Sequence, residues 1–225
     1  QGLGIAEIAY QNALSYAKER LQGRSLTGIK HPEKAADPII VHPDVRKMLL
    51  TMKAYNEGNR MLGTWVASQV VRSQKAENEN DREEAEEFVQ LMTPIVKAFM
   101  TDCGTEVASL GVQVYGGHGY IHEYGMEQYL RDARIAQIYE GTNGVQALDL
   151  VGRKIPMATG RYLRRFFHPV YNYIQEKQGD EMLAEFIGPL QKAFDRLQQA
   201  TISLAQRGLS NPDEIGAAAS DYVRM

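Results

Sequence analysis

Apolar side chains recur along this chain at steps of three and four and almost nowhere alternate, so the pattern predicts helices and no sheet. Leu3, Ile5, Ile8, Ala9, Leu14, Tyr16 and Ala17 mark a first helix that ends near Gly23. A loop from Arg24 to His42 follows, punctuated by Pro32 and Pro38. From Pro43 to about Gln74 the positions Val45, Met48, Leu49, Met52, Tyr55, Leu62, Trp65 and Val66 return to helical spacing. Pro43 suits the first turn of that helix, where a missing N–H costs nothing. The stripe Met48, Met52 and Met61 reads as core packing.

Lys75 to Glu87 is a polar run, expected to be a solvated turn and helix start capped by Asn80 or Asp81. A third helix then carries Phe88, Leu91, Met92, Ile95, Val96, Phe99, Met100, Cys103, Val107, Leu110 and Val114, with Pro94 inside it and Gly116-Gly117 ending it. A short helix over Met126 to Ala133 and another from Val145 to about Lys154 follow. Beyond Ile155-Pro156 the pattern changes to a helical tail, with breaks expected near Gly179-Asp180, Gly188-Pro189 and Gly208 to Pro212. Long helices with one apolar stripe each predict an all-α, antiparallel up-and-down bundle over residues 1–154 and a helical extension over 155–225.

Charge narrows the partners. The net charge is −3 with both signs interspersed, which gives no basic field for a phosphate backbone and excludes nucleic acid from the expected partners. Cys103 is the only cysteine, so no intrachain disulfide is available. No apolar run approaches the ~20 residues of a membrane span. The expectation is a soluble protein of the cytoplasm, or of the mitochondrial matrix if eukaryotic. Gln1 in first place, with a helical pattern already under way at Gly2, suggests a segment of a longer protein.

Candidate chemistry concentrates in Arg131 to Gln146, RDARIAQIYEGTNGVQ, where Glu140 immediately precedes a Gly-Thr-Asn-Gly turn. Thr142 or Asn143 can cap the next helix through a side-chain oxygen, and Gly141 keeps the backbone beside Glu140 open. By itself this is also what a capped turn with a solvated glutamate looks like. Arg131 and Asp132 read as a structural pair. Gly116-Gly117-His118-Gly119 lacks the preceding strand of a Rossmann site. His118 and His122 lie in a glycine-rich setting that makes a poor metal-binding helix, so no metal is expected. No histidine has a glutamate three residues before it, as a di-iron bundle would need.

Taken together, QVYGGHGYIHEYGMEQYLRDARIAQIYEGTNGVQ, from Gln113 to Gln146, resembles the C-terminal domain of the acyl-CoA dehydrogenases. The family pattern Q-x-x-G-G-x-G-[FY], E-Y-x-x-E, R-D-A-[RK]-I and I-Y-E-G-T is present in order. Ala13 to Arg20 looks like the family's A-x-x-Y-A-x-x-R helix, and the resemblance covers Gln1 to about Lys154. The long loop and the tail are similar to the larger branch that includes 3-methylmercaptopropionyl-CoA and long-chain dehydrogenases.

The resemblance implies an FAD-dependent desaturation of an acyl-CoA thioester between its α and β carbons. Glu140 would be the base for the α proton, with a pKa raised by burial, and its backbone N–H would help hold the thioester carbonyl. Tyr139 and Gly141 would lie against the substrate. Arg20 would contact the FAD pyrophosphate from a neighbouring subunit. Gln113, Gly116 and Gly117 would approach its adenosine part, and Thr142 would hydrogen-bond the flavin dinucleotide. Leu21-Gln22-Gly23-Arg24 departs from the family's x-[TQ]-F-G, so only Gln22 could serve there; Gly144 stands where a glutamine is common. The family also implies a homodimer or homotetramer and an electron-transfer flavoprotein as acceptor, while the segment alone would be inactive. A non-catalytic helical oligomerisation module stays open as the alternative.

Overall fold

The computed structural model describes all residues, Gln1 to Met225, and is all-α. Its one β feature is an isolated antiparallel bridge between Leu21 and Pro38. The helices are α1 (Gly2–Glu19), α2 (Pro43–Lys75), α3 (Glu79–Tyr115), the single turn α4 (Gly117–Tyr120), α5 (Met126–Ala136), α6 (Asn143–Asp149), α7 (Met157–Lys177), α8 (Ala184–Ser210) and α9 (Pro212–Tyr222). The chain divides into two compact units, Gln1–Gly63 with Met100–Glu140 and Thr64–Phe99 with Gly141–Met225, so α2 and α3 each contribute to both.

In the first unit the side-chain register fixes an up-and-down order. Asn56 of α2 donates to the Ala6 carbonyl of α1, while Leu49 and Met52 share a core cluster with Ala13 and Ala17, so α1 and α2 run antiparallel. On α3, residues 100–104 meet Gly2 and Tyr115 donates to the Asn12 carbonyl, so α3 runs alongside α1 in the same direction. On α5, Met126 meets Gly111 and Gln137 donates to Asp102, which turns α5 back down.

The buried face of α1 is not the large apolar set that the pattern picks out. It is Gly2, Ala6, Ala9, Ala13 and Ala17, while Ile8 is 42% exposed. Small residues at helical spacing let backbones approach: a Cβ on Gly104 would sit 2.7 Å from the Gly2 carbonyl oxygen. Helix α1 also stops at Glu19, before Gly23, because Arg20 turns to extended backbone (φ −66°, ψ 118°) and its carbonyl accepts from Ile39. Met52 is fully buried and Met48 partly so, but Met61 is 69% exposed and takes no part in a methionine stripe.

In the second unit Ile174, Ile187 and Phe194 form a core with Phe167, Val170 and Leu183. Trp65 packs on Phe88 with ring centroids 4.7 Å apart. The polar run before Phe88 is not simply solvated, since Glu87 is buried against Arg161 and Arg165 of α7. The cap of α3 is Asn78, whose side chain accepts from the Asn80 N–H at 2.8 Å, so Asn80 lies inside the first turn and Asp81 pairs instead with Arg72. A five-residue π turn, Leu150–Lys154, follows α6. Ala158, Thr159 and Gly160 are all left-handed, so α7 becomes regular only at Arg161. Gly188-Pro189 does not break the chain, because α8 runs through it. Asn211 caps α9 ahead of Pro212, as the Gly208 to Pro212 punctuation predicts.

Candidate active site

Glu140 occupies left-handed backbone, φ 54°, and Gly141 follows at φ 78°. Two successive positive φ values form the turn between α5 and α6. Glycine is required at the second position, where a Cβ would also lie 2.9 Å from Nε2 of Gln146. Thr142 is the N-cap of α6, accepting from Val145 N–H at 3.3 Å. A hydroxyl has one donor and two acceptor positions, so capping leaves the Thr142 O–H free to donate outward. Lys97 of α3 reaches this turn with Nζ 2.7 Å from the Gly141 carbonyl oxygen and 2.8 Å from Oδ1 of Asn143. Asn143 in turn donates to the Ala98 carbonyl at 3.1 Å.

On the α5 side, Tyr139 is half-buried and donates its hydroxyl to Oε1 of Gln1. Gln137 donates to Asp102 at 2.7 Å. The expected Arg131–Asp132 pair does not form; Asp132 accepts from Gln128 at 2.7 Å instead. Glu140 itself is exposed in this chain.

A second group of candidate residues gathers at the other end of α1. Tyr16 stacks on Tyr115 with centroids 4.0 Å apart, and its hydroxyl lies 2.8 Å from Nδ1 of His118. Burial, the largest influence on Tyr16, raises its pKa against the nearby Arg20 charge, which lowers it. The Tyr16–His118 contact binds the end of α1, where Arg20 lies, to the segment that carries Gln113, Gly116 and Gly117. His118 also stacks on Tyr124 at 4.2 Å, and His122 pairs separately with Glu127. Arg20, Gln22, Gln113, Gly116 and Gly117 are exposed, as are Glu140, Gly141 and Thr142. Arg20 makes no ion pair with a carboxylate of the chain, and a Cβ on Gly116 or Gly117 would meet open space.

The candidate residues therefore form two groups. Gln1, the partner of Tyr139, precedes α1, and Arg20 follows it. At ~1.5 Å per residue, the intervening helix separates Arg20 from the Glu140 end of this unit by about 27 Å.

The family model for "Acyl-CoA dehydrogenase, C-terminal domain" matches residues 1–155. The chain belongs to the acyl-CoA dehydrogenase family. Residues 166–225 match a second family model, "Acetyl-CoA dehydrogenase C-terminal like". The 3-methylmercaptopropionyl-CoA dehydrogenase of Ruegeria pomeroyi is 44% identical over 92% of this chain and 32% of its own length. A broad-specificity linear acyl-CoA dehydrogenase of Mycobacterium tuberculosis is 34% identical over 91% of this chain and 34% of its own. The chain thus spans about a third of the length of the curated relatives it matches. Among solved structures, ACDH-11 of Caenorhabditis elegans shares the fold over 99% of this chain and 35% of its own, with a TM-score of 0.80 at 21% identity. The butyryl-CoA dehydrogenase of Megasphaera elsdenii covers 67% of this chain and 33% of its own at a TM-score of 0.52 and 30% identity.

Within this acyl-CoA dehydrogenase domain, two contributors near the candidate site were not found from sequence. Lys97 gives no signal, being a single lysine on a long helix that carries many other charged residues. Asp37 had a weak one, an acidic residue before proline in a glycine-bearing loop.

Proposed function

We propose that the chain is the C-terminal domain of an FAD-dependent acyl-CoA dehydrogenase that desaturates an acyl-CoA thioester between its α and β carbons. What carries the proposal is the Glu140 turn: a carboxylate set on left-handed backbone beside a carbonyl clamped by Lys97, with a capping threonine two residues on. Glu140 takes the α proton. Its N–H lies on the same turn and donates to the thioester carbonyl, stabilising the negative charge that gathers on that oxygen. Tyr139 and Gly141 line the acyl side.

The residues present fit FAD. Arg20 offers an exposed guanidinium without an internal carboxylate partner, Gly116 and Gly117 leave the approach open, and Thr142 retains a donor. Gln22 and Gln113 add polar side chains beside them. When bound, FAD supplies the acceptor for the hydride that leaves the β carbon. The separation of about 27 Å between Arg20 and the Glu140 end supports an arrangement in which Arg20 serves the flavin of a neighbouring subunit, in a homodimer or homotetramer. The exposure of eight of the nine candidate residues supports a site completed by other protein, so the segment alone binds FAD weakly and does not turn over. We assign residues 1–154 to the catalytic bundle and 155–225 to an extension, with an electron-transfer flavoprotein as acceptor and a cytoplasmic location. No helix is long and apolar enough to cross a membrane.

The test is anaerobic. The flavin absorbance of the full-length protein containing this chain is followed as straight-chain acyl-CoA thioesters are added, beside its Glu140→Gln variant. Bleaching in the parent that is lost in the variant supports the desaturase. Bleaching indifferent to Glu140 removes it as the base, and a parent without flavin returns the domain to an assembly role.

A further inference from the structure

The loop between α1 and α2 is built around one carboxylate. Asp37 is completely buried, and its two oxygens accept the backbone N–H groups of Ser25 at 3.0 Å, Lys30 at 3.1 Å and His31 at 2.7 Å. Arg24 Nη1 lies 3.5 Å from the same carboxylate and also donates to the His31 carbonyl at 3.1 Å, while Nη2 donates to the Lys34 carbonyl at 2.7 Å. Burial alone would raise the pKa of Asp37, but the Ser25, His31 and Lys30 N–H groups and the Arg24 charge hold it down to about 2, so the group is ionised at any working pH.

The backbone of the same residue grips the end of α1. Asp37 N–H donates to the Gly23 carbonyl at 2.9 Å, Gln22 N–H to the Asp37 carbonyl at 3.0 Å, and Ile39 N–H to the Arg20 carbonyl at 2.8 Å. Leu21 bridges Pro38. His42 closes the far side, with Nε2 2.8 Å from the Gln22 carbonyl oxygen. The stretch Arg20–Gln22 is thus held extended by its bridge to Asp37–Ile39, and Gly23 turns away at φ 69°. In extended backbone, residues two apart point to one face, so Arg20 and Gln22 share a face and Leu21 takes the other.

We infer that Asp37 is a positioning residue that aligns Arg20 and Gln22 for the phosphate-bearing part of FAD, although it touches neither ligand nor reacting atoms. The inference rests on the function proposed above. It also gives Gln22 a reason to serve in a chain that lacks the family's phenylalanine: the loop fixes it beside Arg20.

The test is a double-mutant cycle on FAD affinity in the full-length protein, read by flavin fluorescence titration of the apoprotein. Asp37→Asn turns an amide N–H₂ toward donors, and it should raise the FAD dissociation constant on the order of tenfold. The rate of flavin reduction at saturating FAD should stay as it was. In an Arg20→Gln background the same change should add little, because its effect runs through Arg20. An unchanged dissociation constant, or a fully additive cycle, overturns the assignment. If Asp37→Asn does not fold, His42→Ala, which removes only the outer tie to Gln22, carries the same cycle. A parent protein that never binds FAD refutes the functional proposal itself, which distinguishes the two failures.

Discussion

Lys97 places its ammonium 2.7 Å from the carbonyl oxygen of Gly141, the residue that follows Glu140, and 2.8 Å from Oδ1 of Asn143. One side chain thus ties a long helix to the residues that open α6, directly after the candidate base in the chain. A charge-assisted bond of this kind fixes orientation as well as adding stability. Lys97→Met keeps the aliphatic stem and removes the ties. In the full-length protein it should slow acyl-CoA-driven flavin reduction roughly tenfold, because a displaced base loses its near-attack geometry. Bound FAD should remain. Stopped-flow absorbance under anaerobic conditions measures both, and an unchanged rate would show that the turn holds without Lys97.

Glu140 sits at φ 54°, a region where an L side chain costs ~1–2 kcal/mol relative to ordinary helix. Asparagine tolerates this backbone better than glutamate. Glu140→Asn should therefore raise stability by about 0.5–1 kcal/mol while abolishing bleaching. Differential scanning calorimetry beside the anaerobic titration tests the pair, and a lower melting temperature would mean that Glu140 contributes contacts that outweigh its backbone cost.

What sequence pattern could show here is set by the size of the residues it weighs. The span of α2, the cap at Thr142, the break over Gly208 to Pro212 and the end of α3 at Gly116 were legible because proline, glycine and short polar side chains act locally. The buried face of α1 was not, because alanine and glycine score weakly beside Ile8 and Leu14 although close backbone approach needs the small ones. Glu140, Gly141 and Thr142 stood out as a motif. Lys97 and Asp37 did not, since Lys97 acts on backbone 44 residues away and Asp37 on N–H groups of its own loop that only folding gathers around it.

The contact between Gly2 and Gly104 allows a comparison within one protein. A Cβ at Gly104 would lie 2.7 Å from the Gly2 carbonyl oxygen and 2.9 Å from its Cα, so α1 and α3 would have to move apart. Gly104→Ala should destabilise by roughly 1–3 kcal/mol despite alanine's better helix propensity. Gly58, exposed in α2 with nothing near its missing Cβ, is the control. Gly58→Ala should stabilise by about 0.5–1 kcal/mol. Urea unfolding of both variants decides it, and equal effects would refute the close approach.

Asp37 makes an acid window. Its folded pKa, about 2, lies below the unfolded value of about 3.9. The carboxylate's contribution is thus fully present above the unfolded pKa and is lost as pH falls from about 4 through 2. Asp37→Asn has no such group to protonate. Stability followed by circular dichroism in urea should fall less steeply between pH 4 and 2 in the variant than in the parent, and parallel slopes would mean other carboxylates govern acid unfolding.

Glu87 tests how the second unit holds charge in its interior. Its side chain is 3% exposed, and Arg165 Nε lies 2.7 Å from Oε2 while Arg161 meets Oε1. Arg165 also reaches Glu84 at 2.9 Å. Burial opposes the charge on Arg165, but its bonds to Glu87 and Glu84 carry its pKa upward, so it stays ionised. Removing one arginine leaves the other on Glu87, and Arg161, about half exposed, is the weaker partner because water screens it. Arg165→Met should therefore cost more than Arg161→Met. The double variant strips a buried carboxylate of both partners and should lose about 3–5 kcal/mol. Adding Glu87→Leu to that double variant removes the stranded charge and should recover most of the loss. Chemical unfolding of the four proteins measures the series. A triple variant no more stable than the double would show that packing around Glu87, not its unpaired charge, sets the cost.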